Sequence, residues 1–182
     1  MVGDTAQSAT LVVKMSDPPP VGTTDELLEK VDYEWARLIR VLDGPGTRLT
    51  PPEWSAADIL SHVRLYDAWL LGMFDPSSRE EQAPYRSYLT AREDVDERNR
   101  LHVERDRVLT PEEIRRRALE AHAALRQRLA SIPDEHLTAT YAVTEDAFIP
   151  AADGRSLAVL IAIETFWHYR DHADAIEHRS DS

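Results

Sequence analysis

The sequence of 182 residues predicts an all-α protein, a four-helix bundle with a long crossover connection. Four segments carry apolar residues at helical spacing, so each would present one apolar face as a helix. The first three segments end at turns that contain proline or glycine. The connections between the segments are too long for a minimal up-and-down bundle, which predicts one crossover.

The first predicted helix begins near Thr24, a good N-cap residue, with Asp25 and Glu26 in the first turn, where acidic side chains favour the helix dipole. The turn at residues 43–46, which contains two glycines and a proline, ends the helix. The apolar residues at helical spacing are Leu27, Leu28, Val31, Trp35, Leu38, Ile39 and Leu42.

The second predicted helix has the clearest start. Trp54 precedes the capping residue Ser55, and Asp58 follows three positions later, a pattern close to a capping box. A proline turn at residues 75–78 ends this helix. The residues predicted to share its core side are Ile59, His62, Val63, Tyr66, Trp69, Leu70 and Met73.

The next segment, residues 76–109, is highly charged and poor in large apolar side chains. A stretch from about Val95 to Arg107 is predicted as an exposed helix, and its first residues, 94–99, are also a candidate loop over the end of the bundle.

The third core helix is predicted to begin after Thr110 as its cap, with Pro111 in the first turn, and to end at Ile132 and Pro133. Its apolar stripe consists of Ile114, Ala118, Ala121, Leu125 and Leu129.

A connection at residues 134–154 is predicted next, in which residues 138–143 are a candidate short extended piece. The last helix is predicted to run without interruption from a cap at Ser156 to about Glu177, and it contains the strongly apolar run at residues 157–163.

The composition limits the classes of function. The absence of cysteine excludes disulfides, thiolate metal sites and a cysteine nucleophile. The formal net charge of −12 argues against a protein that wraps nucleic acid or coats an anionic membrane. No apolar run reaches the roughly 20 residues of a membrane span, and there is no apolar segment of a secretory signal. We therefore expect a cytoplasmic protein with a small-molecule substrate and with neither nucleic acid nor a membrane as partner.

A single helical domain is predicted for residues 23–179, which are enough to bury a core without disulfides. Residues 1–22 are mostly small or polar and end near three prolines, which cannot continue a helix or a sheet ladder. We predict that they form a flexible N-terminal tail.

Three histidines are candidate metal ligands. His168 and His172 are four residues apart in the last helix, so their side chains lie on the same face one turn apart. His62 lies on the core side of a different helix, as a third ligand must. Three imidazoles with an open position describe a catalytic site for a divalent ion. The alternative is a set of core histidines that hydrogen-bond to one another.

The pair is similar to the zincin motif, but Tyr169 stands where a zincin has glutamate, so protease activity is not expected. Glu164 lies one turn before His168, in line with both histidines and the apolar stripe. The remaining histidines are predicted to be solvated: His102, His122, His136 and His178.

Several other residues have both a structural and a functional interpretation. Asp58 and Tyr66 flank His62 and either contact a histidine ring or face solvent. The aromatic side chains that either line a substrate pocket or pack in the core are Trp69, Phe166 and Trp167. Arg64 and Arg170 either bind the carboxylates of a thiol cofactor or lie on the surface.

Several motifs together resemble the DinB/YfiT-like superfamily of metalloenzymes. That family has one histidine in the second helix and an H-x-x-x-H pair in the last. The two matching segments are residues 54–62 (WSAADILSH) and 168–172 (HYRDH). Three further segments resemble members of the group, at residues 96–99, 109–113 and 132–137. The resemblance extends over about residues 25–178.

The resemblance implies a four-helix bundle with a long crossover, often a homodimer. It also implies that His62, His168 and His172 bind zinc or nickel, with water in the open position. Related proteins include S-transferases that use bacillithiol, mycothiol or glutathione, and a mycothiol-dependent maleylpyruvate isomerase. Others protect against a genotoxin.

The expected function is that of a metal-dependent transferase that joins a low-molecular-weight thiol to an electrophilic small molecule. The metal ion would act as a Lewis acid that holds the thiol as thiolate or generates hydroxide from water. The alternative is a non-catalytic or hydrolytic resistance protein of the same fold that sequesters a reactive small molecule. A third possibility is a structural protein without a metal.

Overall fold

The computed structural model describes residues 18–44, 54–75, 95–144 and 147–180, and within these it confirms a mostly helical bundle with a small sheet. The four predicted core helices correspond to residues 24–42, 56–74, 111–129 and the pair of helices at 157–164 and 166–180. The helices are α1 (Thr24–Leu42), α2 (Ala56–Phe74), α3 (Val95–Asp106), α4 (Pro111–Leu129), α5 (Asp134–Thr138), α6 (Leu157–Glu164) and α7 (Phe166–Ser180). The strands are β1 (Thr140–Val143), β2 (Phe148–Pro150) and β3 (Arg155–Ser156).

The N-cap residues act largely as predicted. The hydroxyl of Ser55 accepts a hydrogen bond from the backbone N–H of Asp58 at 3.1 Å, and the Asp58 carboxylate accepts one from the N–H of Ser55 at 2.8 Å, which completes the capping box. Thr110 caps α4 in the predicted way. The cap of α1 is Thr23, one residue earlier than predicted, because the hydroxyl of Thr24 donates instead to the Ile132 carbonyl.

Helix α2 lies at the centre of the molecule. It packs mainly against α4, while α7 packs mainly against α1. Every residue from Asp58 to Leu65 is buried, so α2 is covered on all sides over these two turns, and the prediction of a single core side was too narrow. The reason is that α3 covers a second face of the helix.

The charged segment contains α3, but this helix is not simply exposed. It begins at Val95, inside the candidate loop, and buries His102, Val103 and Asp106 against α2. Arg64, on α2, is buried and forms an ion pair with Asp106. The sequence did not predict this buried face because it consists largely of charged side chains and so has no apolar pattern. These side chains can be buried because each charge has a partner of opposite sign.

The last helix is interrupted, contrary to the prediction of a continuous one. Thr165 has φ −119° and ψ −107° and separates α6 from α7. The Thr165 hydroxyl donates to the Ile161 carbonyl at 2.7 Å, a local side-chain bond that competes with the helical ladder. The helical pattern resumes with the bond from the Tyr169 N–H to the Thr165 carbonyl at 2.9 Å.

The connection between α4 and α6 is more ordered than predicted. The candidate extended piece is strand β1, and it lies at the centre of an antiparallel sheet with the order β2-β1-β3. Tyr141 pairs with Pro150 on one side and with Arg155 on the other. The short helix α5 and the two outer strands had no counterpart in the predictions.

Residues 1–17 and 76–94, with most of the predicted tail and most of the charged connection, lie outside the described residues. Val21, at the end of the predicted tail, is buried with the core. The division into a tail at 1–22 and a domain at 23–179 stays a prediction. Among the described residues, no helix is long and apolar enough to cross a lipid bilayer.

Candidate metal centre

Three ring nitrogens converge between α2 and α7. Nε2 of His168 lies 2.9 Å from Nε2 of His62 and 3.0 Å from Nε2 of His172. Helical spacing explains why the two histidines of α7 lie on one face, and the buried position of His62 on α2 places it opposite them. The structure therefore brings together the three side chains that the sequence singled out.

Hydrogen bonds cannot account for both close contacts of His168 Nε2 at once. A neutral imidazole carries one N–H and one acceptor nitrogen. If Nε2 of His168 carries the proton, it can donate fully to only one neighbour, and if it does not, its single lone pair accepts from only one. At least one close nitrogen pair is then left without a hydrogen bond, a cost of roughly 1–3 kcal/mol for a buried polar group.

The three rings favour their neutral form. Burial lowers the pKa of His62 well below its usual value, and the neighbouring His168 and His172 rings lower it further. Burial and the His172 ring likewise lower the pKa of His168, and burial lowers that of His172 to about 4. Neutral imidazoles present free lone pairs, which is the form in which histidine binds a metal ion.

The geometry fits a divalent ion. Bonds of 2.0–2.1 Å in a tetrahedral arrangement place two ligand nitrogens about 3.3 Å apart, close to the two contacts of His168. All three donor nitrogens lie within 4.8 Å of one another. An ion would also remove the unsatisfied nitrogen contact. The group formed by His62, His168 and His172 could thus hold a metal ion.

A comparison with family models matches residues 28–173 to the mycothiol maleylpyruvate isomerase N-terminal domain. The chain belongs to this family. The match includes all three converging histidines, and it confirms the resemblance to the DinB/YfiT-like superfamily that the motifs indicated. Among proteins of curated function, no match was found.

Solved structures share the fold of this family member. The colibactin self-resistance protein ClbS, in complex with double-stranded DNA, has a TM-score of 0.66 and 11% identity, with 88% of this chain and 96% of that chain covered. An uncharacterised protein from Escherichia coli UTI89 has a TM-score of 0.64 and 13% identity, with 87% and 92% covered. A protein from Streptococcus pneumoniae has a TM-score of 0.62 and 12% identity, with 90% of this chain and 93% of that chain covered. These likenesses show the fold alone.

Aromatic side chains border the three histidines. The rings of Trp54 and Tyr66 lie 4.9 Å from that of His62, and the Tyr66 ring lies 4.7 Å from that of His168. The Tyr66 hydroxyl donates to Oδ1 of Asn99 on α3 at 3.1 Å. Tyr66 therefore does contact the site, and α3 reaches it through this residue.

Asp58 does not contact a histidine ring. Its carboxylate caps α2 and forms an ion pair with Arg107, with Nε 3.1 Å from Oδ1. Trp54, which precedes the cap, is the neighbour of His62 that the sequence did not single out. Its position directly before a capping residue was the available signal, because such residues fold back over the first turn of a helix.

Glu164 is not part of the converging group. Among the described residues its carboxylate has no hydrogen-bond or ion-pair partner, and burial raises its pKa to about 7. The alignment of Glu164 with both histidines assumed a continuous helix. The interruption at Thr165 changes that geometry.

The candidate pocket aromatics lie elsewhere. Phe166 is in the core, and with Trp167 it lines a surface pocket between α1 and α7 that includes none of the three histidines. Arg170 is exposed and lies over the Trp167 ring at 4.5 Å. Trp69 is half-buried and packs against the core.

Two histidines predicted to be solvated are buried. Nε2 of His102 donates to the Ser61 carbonyl at 3.1 Å, and its Nδ1 accepts from Arg105 at 3.1 Å. His122 stacks on Trp35 with ring centroids 4.0 Å apart. The four-residue spacing from His102 to Asp106 was a usable signal for a buried pair on α3. His136 and His178 are exposed, as predicted.

Proposed function

We propose that this chain binds a divalent ion, zinc or nickel, through His62, His168 and His172, and that it transfers a low-molecular-weight thiol to an electrophilic small molecule. The observation that supports this most directly is the convergence of three Nε2 atoms whose contacts protons cannot satisfy. Membership of a family named for a mycothiol-dependent isomerase supports the thiol.

The ligand set suits the binding of an anion. When bound, a divalent ion at such a site supplies Lewis acidity that holds a thiol co-substrate in its thiolate form near neutral pH. Three neutral imidazoles add no negative charge, so the site keeps the full positive charge that attracts a thiolate. Three protein ligands also leave a coordination position open, as catalytic sites do.

The residues around the histidines limit access of water. Trp54 and Tyr66 place aromatic rings against His62, and the bond from Tyr66 to Asn99 holds the phenol in one orientation. A less solvated site strengthens the electrostatic attraction between an ion and an anionic co-substrate. We further propose a homodimeric cytoplasmic enzyme without a membrane partner, on the basis of the family.

A second candidate is a resistance protein that sequesters or hydrolyses a reactive molecule. The shared fold with the self-resistance protein ClbS favours it. The ClbS structure contains double-stranded DNA. This chain, however, has a net charge of −12, which opposes binding to a polyanion such as DNA. The two candidates differ in turnover: a transferase consumes the thiol, whereas a sequestering protein binds its ligand in a fixed ratio.

The test begins with protein purified without chelator and without nickel affinity resin. Elemental analysis should find about one zinc or nickel ion per chain, and a His168→Ala variant should contain almost none. His136→Ala, which changes an exposed histidine, is the matched control and should keep the ion. A variant at His168 that loses stability but keeps the metal stoichiometry would support the third possibility, a structural histidine cluster.

The same preparations then distinguish the two metal-binding candidates. The wild type is incubated with bacillithiol, mycothiol or glutathione and a monochlorobimane electrophile, and conjugate formation is followed by fluorescence. Metal-dependent conjugation with multiple turnovers supports a transferase. A fully metallated protein with no turnover across the thiol panel favours sequestration.

A further inference from the structure

A second cluster of polar side chains lies at the centre of the bundle, and each of the four core helices contributes one residue. The Tyr169 hydroxyl on α7 donates to Oδ1 of Asp67 on α2 at 2.5 Å. Nδ1 of His122 on α4 lies 3.4 Å from that hydroxyl and 3.7 Å from Oδ2 of Asp67. Trp35 on α1 stacks on the His122 ring and contacts Tyr169 edge-on.

This cluster joins the two helices that carry the converging histidines. Asp67 follows His62 on α2 by five residues, a distance of about 7.5 Å along the helix. Tyr169 follows His168 directly. Both Asp67 and Tyr169 are fully buried, so a hydrogen bond between them is shielded from competing water.

Among the described residues, direct helix packing defines the position of α7 on α2 only weakly. Helix α7 packs mainly against α1, and α2 mainly against α4, with only slight contact between α2 and α7. The interruption at Thr165 also means that α6 and α7 are not one continuous helix. Arg37 ties the far end of α7 to α1 through Asp174 and Glu177, but this leaves its distance to α2 undefined.

We propose that the hydrogen bond between Tyr169 and Asp67 positions the three-histidine site. It fixes the rotation and depth of the first turn of α7, so that His168 and His172 reach His62. Apolar packing alone would permit small rotations of α7, whereas a short bond between two buried polar groups is directional. The His122 ring lies beside the pair, and Trp35 packs against the rings of both His122 and Tyr169. This inference rests on the proposed function, because it assigns positioning residues to that metal site.

The bond can be removed with little change in volume. Tyr169→Phe keeps the ring and deletes only the hydroxyl that donates to Asp67. Asp67→Asn keeps an acceptor for Tyr169, and its amide can donate to His122, so it serves as the conservative variant. Leu129→Ala is the matched control, since it weakens the buried core on α4, a helix that supplies no histidine to the site.

The measurement is the affinity for Co²⁺, read from its visible absorption, with urea unfolding of each metal-free protein alongside. Residues that orient metal ligands typically change affinity by 10–100-fold, so we expect Tyr169→Phe to bind Co²⁺ at least about tenfold more weakly than the wild type, with an altered spectrum. Asp67→Asn should stay within about threefold of the wild type. Leu129→Ala should lose stability but keep both affinity and spectrum.

Two outcomes would overturn the proposal in distinguishable ways. If the wild type binds Co²⁺ and Tyr169→Phe binds it equally well with the same spectrum, the positioning role is wrong and the metal site stands. If Leu129→Ala loses as much affinity as Tyr169→Phe, the effect reflects general stability and the positioning role is again wrong. If the wild type itself does not bind Co²⁺ or Zn²⁺, the proposed function fails together with this inference.

Discussion

Nε2 of His62 lies 2.9 Å from Nε2 of His168, although 106 residues separate the two histidines along the chain. The two residues belong to helices that otherwise contact each other only slightly. Two neutral rings at this distance, with a third ring 3.0 Å from His168, form a cluster of donor atoms that a cation would stabilise.

Replacement of one ligand should abolish tight metal binding. We expect His172→Ala to weaken Co²⁺ or Zn²⁺ binding by more than about 100-fold, since even residues that only orient ligands cost 10–100-fold. Isothermal titration calorimetry in chelator-free buffer measures the change. His178→Ala, on the same helix but exposed, is the control. Equal affinities of the two variants would contradict the assignment of His172.

The ionisation of Asp58 should make the free energy of unfolding depend on pH. Burial by itself would raise the pKa of Asp58, but the bonds from Arg107 and Ser55 lower it below the usual 3.8. The stabilisation is therefore present above about pH 3.8 and is lost as the pH falls through the pKa of the folded state. We expect Asp58→Asn to cost about 1 kcal/mol at pH 7, because Arg107 is half exposed, and less at pH 3.

Urea unfolding of wild type and Asp58→Asn at both pH values tests this dependence. Glu135→Gln, which changes an exposed carboxylate on α5, controls for the loss of one negative charge. A difference between wild type and Asp58→Asn that is as large at pH 3 as at pH 7 would rule out the ion pair as its source.

The buried ion pair of Arg64 should contribute much more than an exposed one. Arg64→Ala removes the guanidinium from the buried Asp106 carboxylate, which keeps the Ser61 hydroxyl and Arg105 as partners, and we expect a loss of about 3 kcal/mol in the free energy of unfolding. Arg126→Ala breaks the exposed pair with Asp32 and should cost less than about 1 kcal/mol. Chemical denaturation of both variants measures the difference, and similar losses would show that α3 is not anchored through Arg64.

Gly154 should not tolerate a side chain. A Cβ atom at this position would lie 2.2 Å from the Tyr141 backbone carbonyl oxygen, which cannot move without breaking the central strand of the sheet. We expect Gly154→Ala to cost about 1–3 kcal/mol. Gly22→Ala, where a Cβ meets nothing within 4 Å, is the matched control. Thermal unfolding compares the two, and equal melting temperatures would contradict the close approach.

Local patterns predicted most of the helices because each depends on neighbours in sequence. Ser55 and Asp58 cap α2 and Thr110 caps α4, since a cap needs only a side-chain oxygen two or three residues before an N–H that lacks a partner. The break at Thr165 was missed because the apolar spacing continues across it, while the hydroxyl bond to Ile161 that accompanies the break leaves no mark on that spacing.

Residue spacing along the chain was enough to predict the helical class, the face shared by His168 and His172, and a third histidine on another apolar helix. These are consequences of residue spacing along one helix at a time. The packing of the helices was needed to show that His62 meets the other two rings and that His102, His122 and Arg64 are buried. It also showed that Asp58 forms its ion pair with Arg107. The physical reason is that a polar side chain can be buried wherever a partner from a distant segment reaches it, and such a pairing leaves no periodic signal in the chain.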